Sequence, residues 1–150
     1  MDDAHLITLM QNEDMTNGFW NNLISQQFPF PDYLVVPEYQ FPGGRADLAV
    51  IKLDNGRLVL VLEGKRAGGS FVTISRAAQQ AANAAGKIGS TPGIIAALGP
   101  KFCLYRADTS PVTTFAGADG SGISTITNVN IQKITTKLQQ CRAWNGSGGW

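Results

Sequence analysis

Leu58-Val59-Leu60-Val61-Leu62 is apolar at every position. A half-exposed strand alternates apolar with polar residues, and an amphipathic helix repeats them at three- and four-residue spacing. A run without gaps needs cover on both faces, which predicts a central β-strand between layers of helix. Just before it stands Asp54-Asn55-Gly56. Asn-Gly tolerates the positive φ that tight hairpins demand. Residues 46–53 and 57–65 are therefore predicted as the two arms of a hairpin.

The rest of the chain reads around that hairpin. Asp2 and Asp3 can cap a first helix through Leu6, Leu9 and Met10. Asn17-Gly18 is expected to interrupt it, with Phe19, Trp20, Leu23 and Ile24 continuing at helical spacing. Pro29 and Pro31 end that segment. Tyr33 to Phe41 reads as a strand, with Pro37 implying an edge or a bulge. After the Gly68-Gly69 loop, Thr73 or Ser75 can cap an Ala-rich helix that stops near Gly86 or Gly89. Residues 94–98 and 102–105 read as two more strands, and 112–115 as a further short one. Residues 116–124 read as a Gly-rich loop. Ile131, Ile134, Leu138 and Cys141 form the stripe of a last helix, with Asn128 or Asn130 as its cap. This order predicts a single α/β domain over residues 1–150, one mixed sheet flanked by helices. Residues 145–150 read as a flexible tail.

Composition narrows the function. The 150 residues carry a formal net charge of +1, so a polyanion would have to be met through a local patch or bound cations. Cys103 and Cys141 lack metal-ligand spacing and read as buried free thiols. His5 is the only histidine, which argues against mechanisms built on Ser-His, Cys-His or several histidines. The sequence has no signal-like start and no apolar run of the ~20 residues a span needs. An intracellular, soluble chain is the expectation.

Chemistry concentrates at the end of the apolar run. An ionisable group there is costly without a partner or a task. Glu63 and Lys65 are two apart and share a face on a strand. Closing the hairpin on Asn55-Gly56 would put Asp47 opposite about residue 64. Two carboxylates could then share a hard divalent cation such as Mg²⁺ or Mn²⁺, with the Gly64 carbonyl as a further oxygen ligand. Lys65 could orient a water or neutralise developing charge. The plain alternative is a salt-bridge cluster where a strand meets solvent.

Gly44-Arg45-Ala46-Asp47-Leu48, then a hairpin, then Val61-Leu62-Glu63-Gly64-Lys65-Arg66 resembles the PD-(D/E)XK nuclease superfamily, which includes many restriction endonucleases. The resemblance spans roughly residues 33–106. Asp47 matches the first motif acid, although Ala46 stands where Pro is common, and Glu63-Gly64-Lys65 matches (D/E)-x-K. The resemblance implies a restriction-endonuclease-like αβββαβ core and metal-dependent cleavage of nucleic acid, DNA above all, leaving a 5′-phosphate. It also implies an upstream metal-binding acid, for which Glu38 or Glu13 stands available. A Gln on the helix after the lysine is the counterpart of Gln79 or Gln80, with Gln79 preferred as the residue that orients Lys65 or a phosphate. The Tyr often found four residues on is missing here. Arg45, Arg66 and Arg76 could contact phosphates; taken singly, each is a solvated cation. A single domain that cuts both strands would often pair as a homodimer. The rival function is an inactive module on the same scaffold that binds nucleic acid or a protein partner.

Overall fold

The computed structural model describes residues 1–41, 44–65, 70–87, 91–108, 110, 112, 115, 118, 122–143 and 150. Its elements run α1 (Asp3–Leu9), α2 (Glu13–Gln27), β1 (Tyr33–Phe41), β2 (Gly44–Lys52), β3 (Leu58–Lys65), α3 (Phe71–Lys87), β4 (Gly93–Leu98), β5 (Lys101–Tyr105), β6 (Ser124–Thr125) and α4 (Asn128–Ala143). The strands form one sheet in the order β1-β2-β3-β4-β5-β6. Only β3 and β4 run parallel, joined through α3; the other neighbours are antiparallel. The α/β class, the mixed sheet and the αβββαβ order expected from the sequence are present from α2 to β4.

The apolar run is buried throughout, as its lack of alternation requires. One face of the sheet meets α1, α2 and α4 in a core holding Trp20, Phe28, Leu60, Leu62, Phe102 and Leu138. The other face meets α3, through Ala78, Ala81 and Ala85 against Val61, Ile94 and Ala96. Alanines let that helix lie close to the strands, whereas the first face is filled by large side chains. Trp20 is fully buried and meets Phe102 edge-to-face at 5.7 Å, which anchors α2 to the sheet. Cys103 and Cys141 are buried and form no disulfide. Burial pushes the Cys141 thiol up to about 12, so it stays protonated at neutral pH and is a poor nucleophile.

The hairpin forms, but its loop is longer than two residues. Lys52 N–H donates to the Arg57 carbonyl at 2.8 Å and Gly56 N–H to the Lys52 carbonyl at 2.8 Å. Gly56 takes the positive φ, 67°. The offset then shifts by one between Val50 and Ile51, leaving Val59 as an extra residue on β3. This bulge lets the consecutive Val59 and Leu60 enter the same core. Past it Leu48 faces Leu62, one residue short of the expected pairing.

Four other expectations change. The helical break falls at 10–12, not at Asn17-Gly18: Asn12 caps α2 by accepting from Asp14 N–H and Met15 N–H at 2.9 and 3.2 Å. Ser70, rather than Thr73 or Ser75, precedes α3, its hydroxyl accepting from Thr73 N–H at 3.4 Å. Thr127, rather than Asn128 or Asn130, caps α4 by accepting from Asn130 N–H at 3.1 Å. Of the strand expected at 112–115, Val112 and Phe115 are buried outside any described strand and residues 113 and 114 lie outside the described residues; the described sheet ends on β6, whose Ser124 faces Phe102. Trp150 packs its indole against the first core and donates to the Tyr105 carbonyl, while 144–149 lie outside the described residues. Among the described residues, no helix is long and apolar enough to cross a membrane.

Gly18 lies inside α2, and a Cβ added there would meet nothing within 4 Å. Gly18→Ala is expected to raise stability by about 0.5–1 kcal/mol, read as a higher urea midpoint at unchanged slope.

Candidate functional site

The site is built where β1 and β2 change faces. Residues two apart on a regular strand share a face. Val35, Leu48 and Val50 belong to the first core, yet Tyr39, Phe41 and Ala46 belong to the second. The β1–β2 offset is the same on both sides, with Pro37 facing Leu48 and Tyr39 facing Ala46. The reversal therefore falls on the two residues between those pairs, Glu38 and Asp47. Glu38 takes a φ of 52°, the left-handed region that side chains disfavour.

At this reversal the β2–β3 ladder ends. Continuing its register by one step would set Asp47 against Glu63. Instead the Asp47 carboxylate accepts the Gly64 N–H at 2.7 Å. A side-chain acceptor thus serves a backbone donor beyond the last paired residues of the two strands. A hydrogen bond to an ionised acceptor contributes about 1.5–3 kcal/mol, enough to fix Asp47 beside Glu63-Gly64-Lys65. Glu63 is 8% exposed and faces Ala96 of β4. Lys65 closes β3 opposite Leu98.

Gly64 also leaves a small space. A Cβ placed on it would lie 3.4 Å from Asp47 Oδ2 and 3.4 Å from Asn17 Oδ1. Asn17, on α2, is thereby brought to the site although nothing in its sequence context marked it as more than a helix breaker. Its placement follows from Trp20, one turn on, which pins α2 against the sheet.

The remaining candidates are distributed around this point. Glu38 is an exposed partner of Arg45, at 3.8 Å. Glu13 is exposed at the start of α2, one turn before Asn17. Gln79 and Gln80 are both exposed on α3. Gln80 reaches the start of β2, its Nε2 2.8 Å from where a Gly44 Cβ would stand. Arg76 is exposed on α3. Arg66 lies outside the described residues. Among the described residues, no group of three His, Cys, Asp or Glu side chains is placed to hold a metal ion. A cleft of about 660 Å³ lies elsewhere, lined by Asp32, Lys52, Asp54 and Arg142 at the far end of β2. Lys52 and Asp54 pair with each other there at 3.8 Å. Asp47 Oδ2 and Asn17 Oδ1 are the side-chain oxygens that approach the Gly64 space.

No family model matches the sequence, and no curated protein matches it. Among solved structures, the type IIG restriction endonuclease BpuSI is similar, with a TM-score of 0.49 at 14% identity. The match takes in 92% of this chain but 16% of that one, so the chain spans a small part of that protein's length.

Two substitutions test this geometry without any substrate. Asp47→Ala leaves the Gly64 N–H without its acceptor and is expected to cost about 1–3 kcal/mol, whereas Asp47→Asn, which keeps an acceptor oxygen, costs less. Glu38→Gly is expected to add about 1 kcal/mol by relieving the left-handed backbone. Chemical denaturation of the purified variants reads both.

Proposed function

We propose that the chain is a metal-dependent phosphodiesterase acting on nucleic acid, with DNA as the expected substrate. The observation that carries this reading is the 2.7 Å bond from Gly64 N–H to Asp47, which holds one carboxylate of the motif against the strand that bears the other. Carboxylates at Asp47 and Glu63 and the Gly64 carbonyl are oxygen donors of the kind that a hard divalent cation such as Mg²⁺ or Mn²⁺ takes. Glu38 is a weaker candidate ligand, since its carboxylate already pairs with Arg45.

When bound, the ion would lower the pKa of a water and offset charge on the phosphoryl group. Asp47 and Glu63 hold it. Lys65 is the proposed group that orients the attacking water and balances negative charge as phosphorus is attacked. Water adds to phosphorus, the bond to the 3′ oxygen breaks, and the products are a 3′-hydroxyl and a 5′-phosphate. Gln79 or Gln80 would hold Lys65 or a phosphate oxygen, and Gln80 has the better supported position, beside Gly44. Arg45, Arg66 and Arg76 supply cations for the phosphate backbone in a chain whose overall charge is nearly neutral. Pairing of two copies would serve cleavage of both strands.

Plasmid and linear DNA are incubated with Mg²⁺ or Mn²⁺, with and without EDTA. The wild-type protein is expected to cut only with the ion present. Lys65→Ala and Asp47→Asn should each lower the rate by at least about a hundredfold. Equal cleavage by wild type and Lys65→Ala removes the assignment. Folded protein that neither cuts nor binds Mn²⁺ supports an inactive binding module instead.

A further inference from the structure

We propose that Gly93 and the Tyr105 carbonyl form a binding seat for an indole side chain, and that Trp150 is its tethered occupant. The seat lies at the far end of β4 from the candidate site: Gly93 pairs with Leu60, whereas Leu98, at the other end, pairs with Lys65. It stands where the β4–β5 ladder stops. Ile94 and Tyr105 are the last partners, and beyond them Arg106 N–H turns to the Ser110 carbonyl at 3.0 Å. Gly93 is thus one step past the ladder, with its backbone bare of side chain. The indole lies on it. A Cβ added to Gly93 would be 2.6 and 2.7 Å from two ring atoms of Trp150, closer than packed atoms come. The φ of Gly93 is not in the left-handed region, so the backbone makes no demand for glycine there; the ring does.

Two further contacts give the seat a chemical preference. The ring packs against the first core, which favours an apolar aromatic body. Its Nε1–H donates to the Tyr105 carbonyl, which a phenylalanine could not do. Trp150 is only half-buried, unlike Trp20, which is fully buried. It fills an open seat rather than a closed core position. One ring held by one hydrogen bond and one apolar face is bound weakly enough to exchange. The same chain therefore carries both a site and its ligand, and neither depends on the nuclease reading.

Proton–nitrogen NMR spectra of the full chain test this, with N-acetyl-tryptophanamide as the added probe. Trp150→Ala is expected to bind the probe with a roughly millimolar dissociation constant, shifting the Gly93, Ile94 and Tyr105 amides. Wild type, its seat filled, should show no saturable shift over the same range. The probe methylated on the indole nitrogen lacks the donor and should bind about tenfold more weakly. Gly93→Ala added to Trp150→Ala should abolish binding. Gly93→Ala alone keeps Trp150 and is expected to move its indole N–H resonance to the position of a free indole, so the proposal stays testable if Trp150→Ala does not fold. A folded Trp150→Ala chain that ignores the probe overturns the proposal, as does equal binding of the two indoles. So does a Trp150 indole N–H that stays unmoved in Gly93→Ala.

Discussion

Beyond Leu48 and Leu62, β2 and β3 stop pairing through their backbones, yet Gly64 still presents an N–H toward β2. Left without an acceptor in a half-buried position, such a group costs about 1–3 kcal/mol. Asp47 meets it with a carboxylate oxygen, and can do so because β1 and β2 reverse their faces at this very step. The left-handed backbone of Glu38 is the cost on the neighbouring strand. What the reversal achieves is local: an acidic side chain lies beside the end of a buried strand that carries a second acid, Glu63. At this end the gap between β2 and β3 is bridged by the hydrogen bond from Gly64 N–H to Asp47.

The two cores divide the work of holding that arrangement. On one face, large residues such as Trp20, Phe102 and Leu60 fix where α2 crosses the sheet, and so where Asn17 stands. On the other, small residues of α3 bring the helix close to β2, and Gln80 close to Gly44. A methyl on Gly44 would lie 2.8 Å from both the Gln80 amide and the Phe41 ring. Glycine suits this position through close approach rather than through an unusual φ, since a larger residue would have to displace the Gln80 amide and the Phe41 ring.

How much of this the sequence discloses depends on the range of the interaction. The buried strand was legible because five apolar residues in a row admit few other fates. β1 was legible to its ends, since Tyr33 follows a Pro-rich break and Phe41 precedes Pro42-Gly43-Gly44 in the sequence. Register was not, because the loop length at Leu53–Gly56 and the bulge at Val59 answer to packing between sheet and helices. The start of α2 was misplaced because Asn12 and Asn17 are the same residue type, and only the structure shows which one accepts the first N–H groups. β6 escaped notice because two residues carry no periodicity; they are a strand only through Lys101 and Phe102. At the site, Asp47 and Glu63-Gly64-Lys65 could be read from their places on the hairpin. Asn17 could not, since its approach to Gly64 is a tertiary event with no local signature.

β1 is the outer strand on its side of the sheet, and its middle holds Pro37 beside the left-handed Glu38. Proline has no N–H to offer, and the residue after it leaves the extended conformation. A second chain arriving along this border would find the ladder of donors broken halfway. The opposite border is β6, two residues long. Among the described residues, neither rim offers a long unbroken strand for growth of the sheet from molecule to molecule. The kink at Glu38 and Asp47 thus also works against edge-to-edge aggregation.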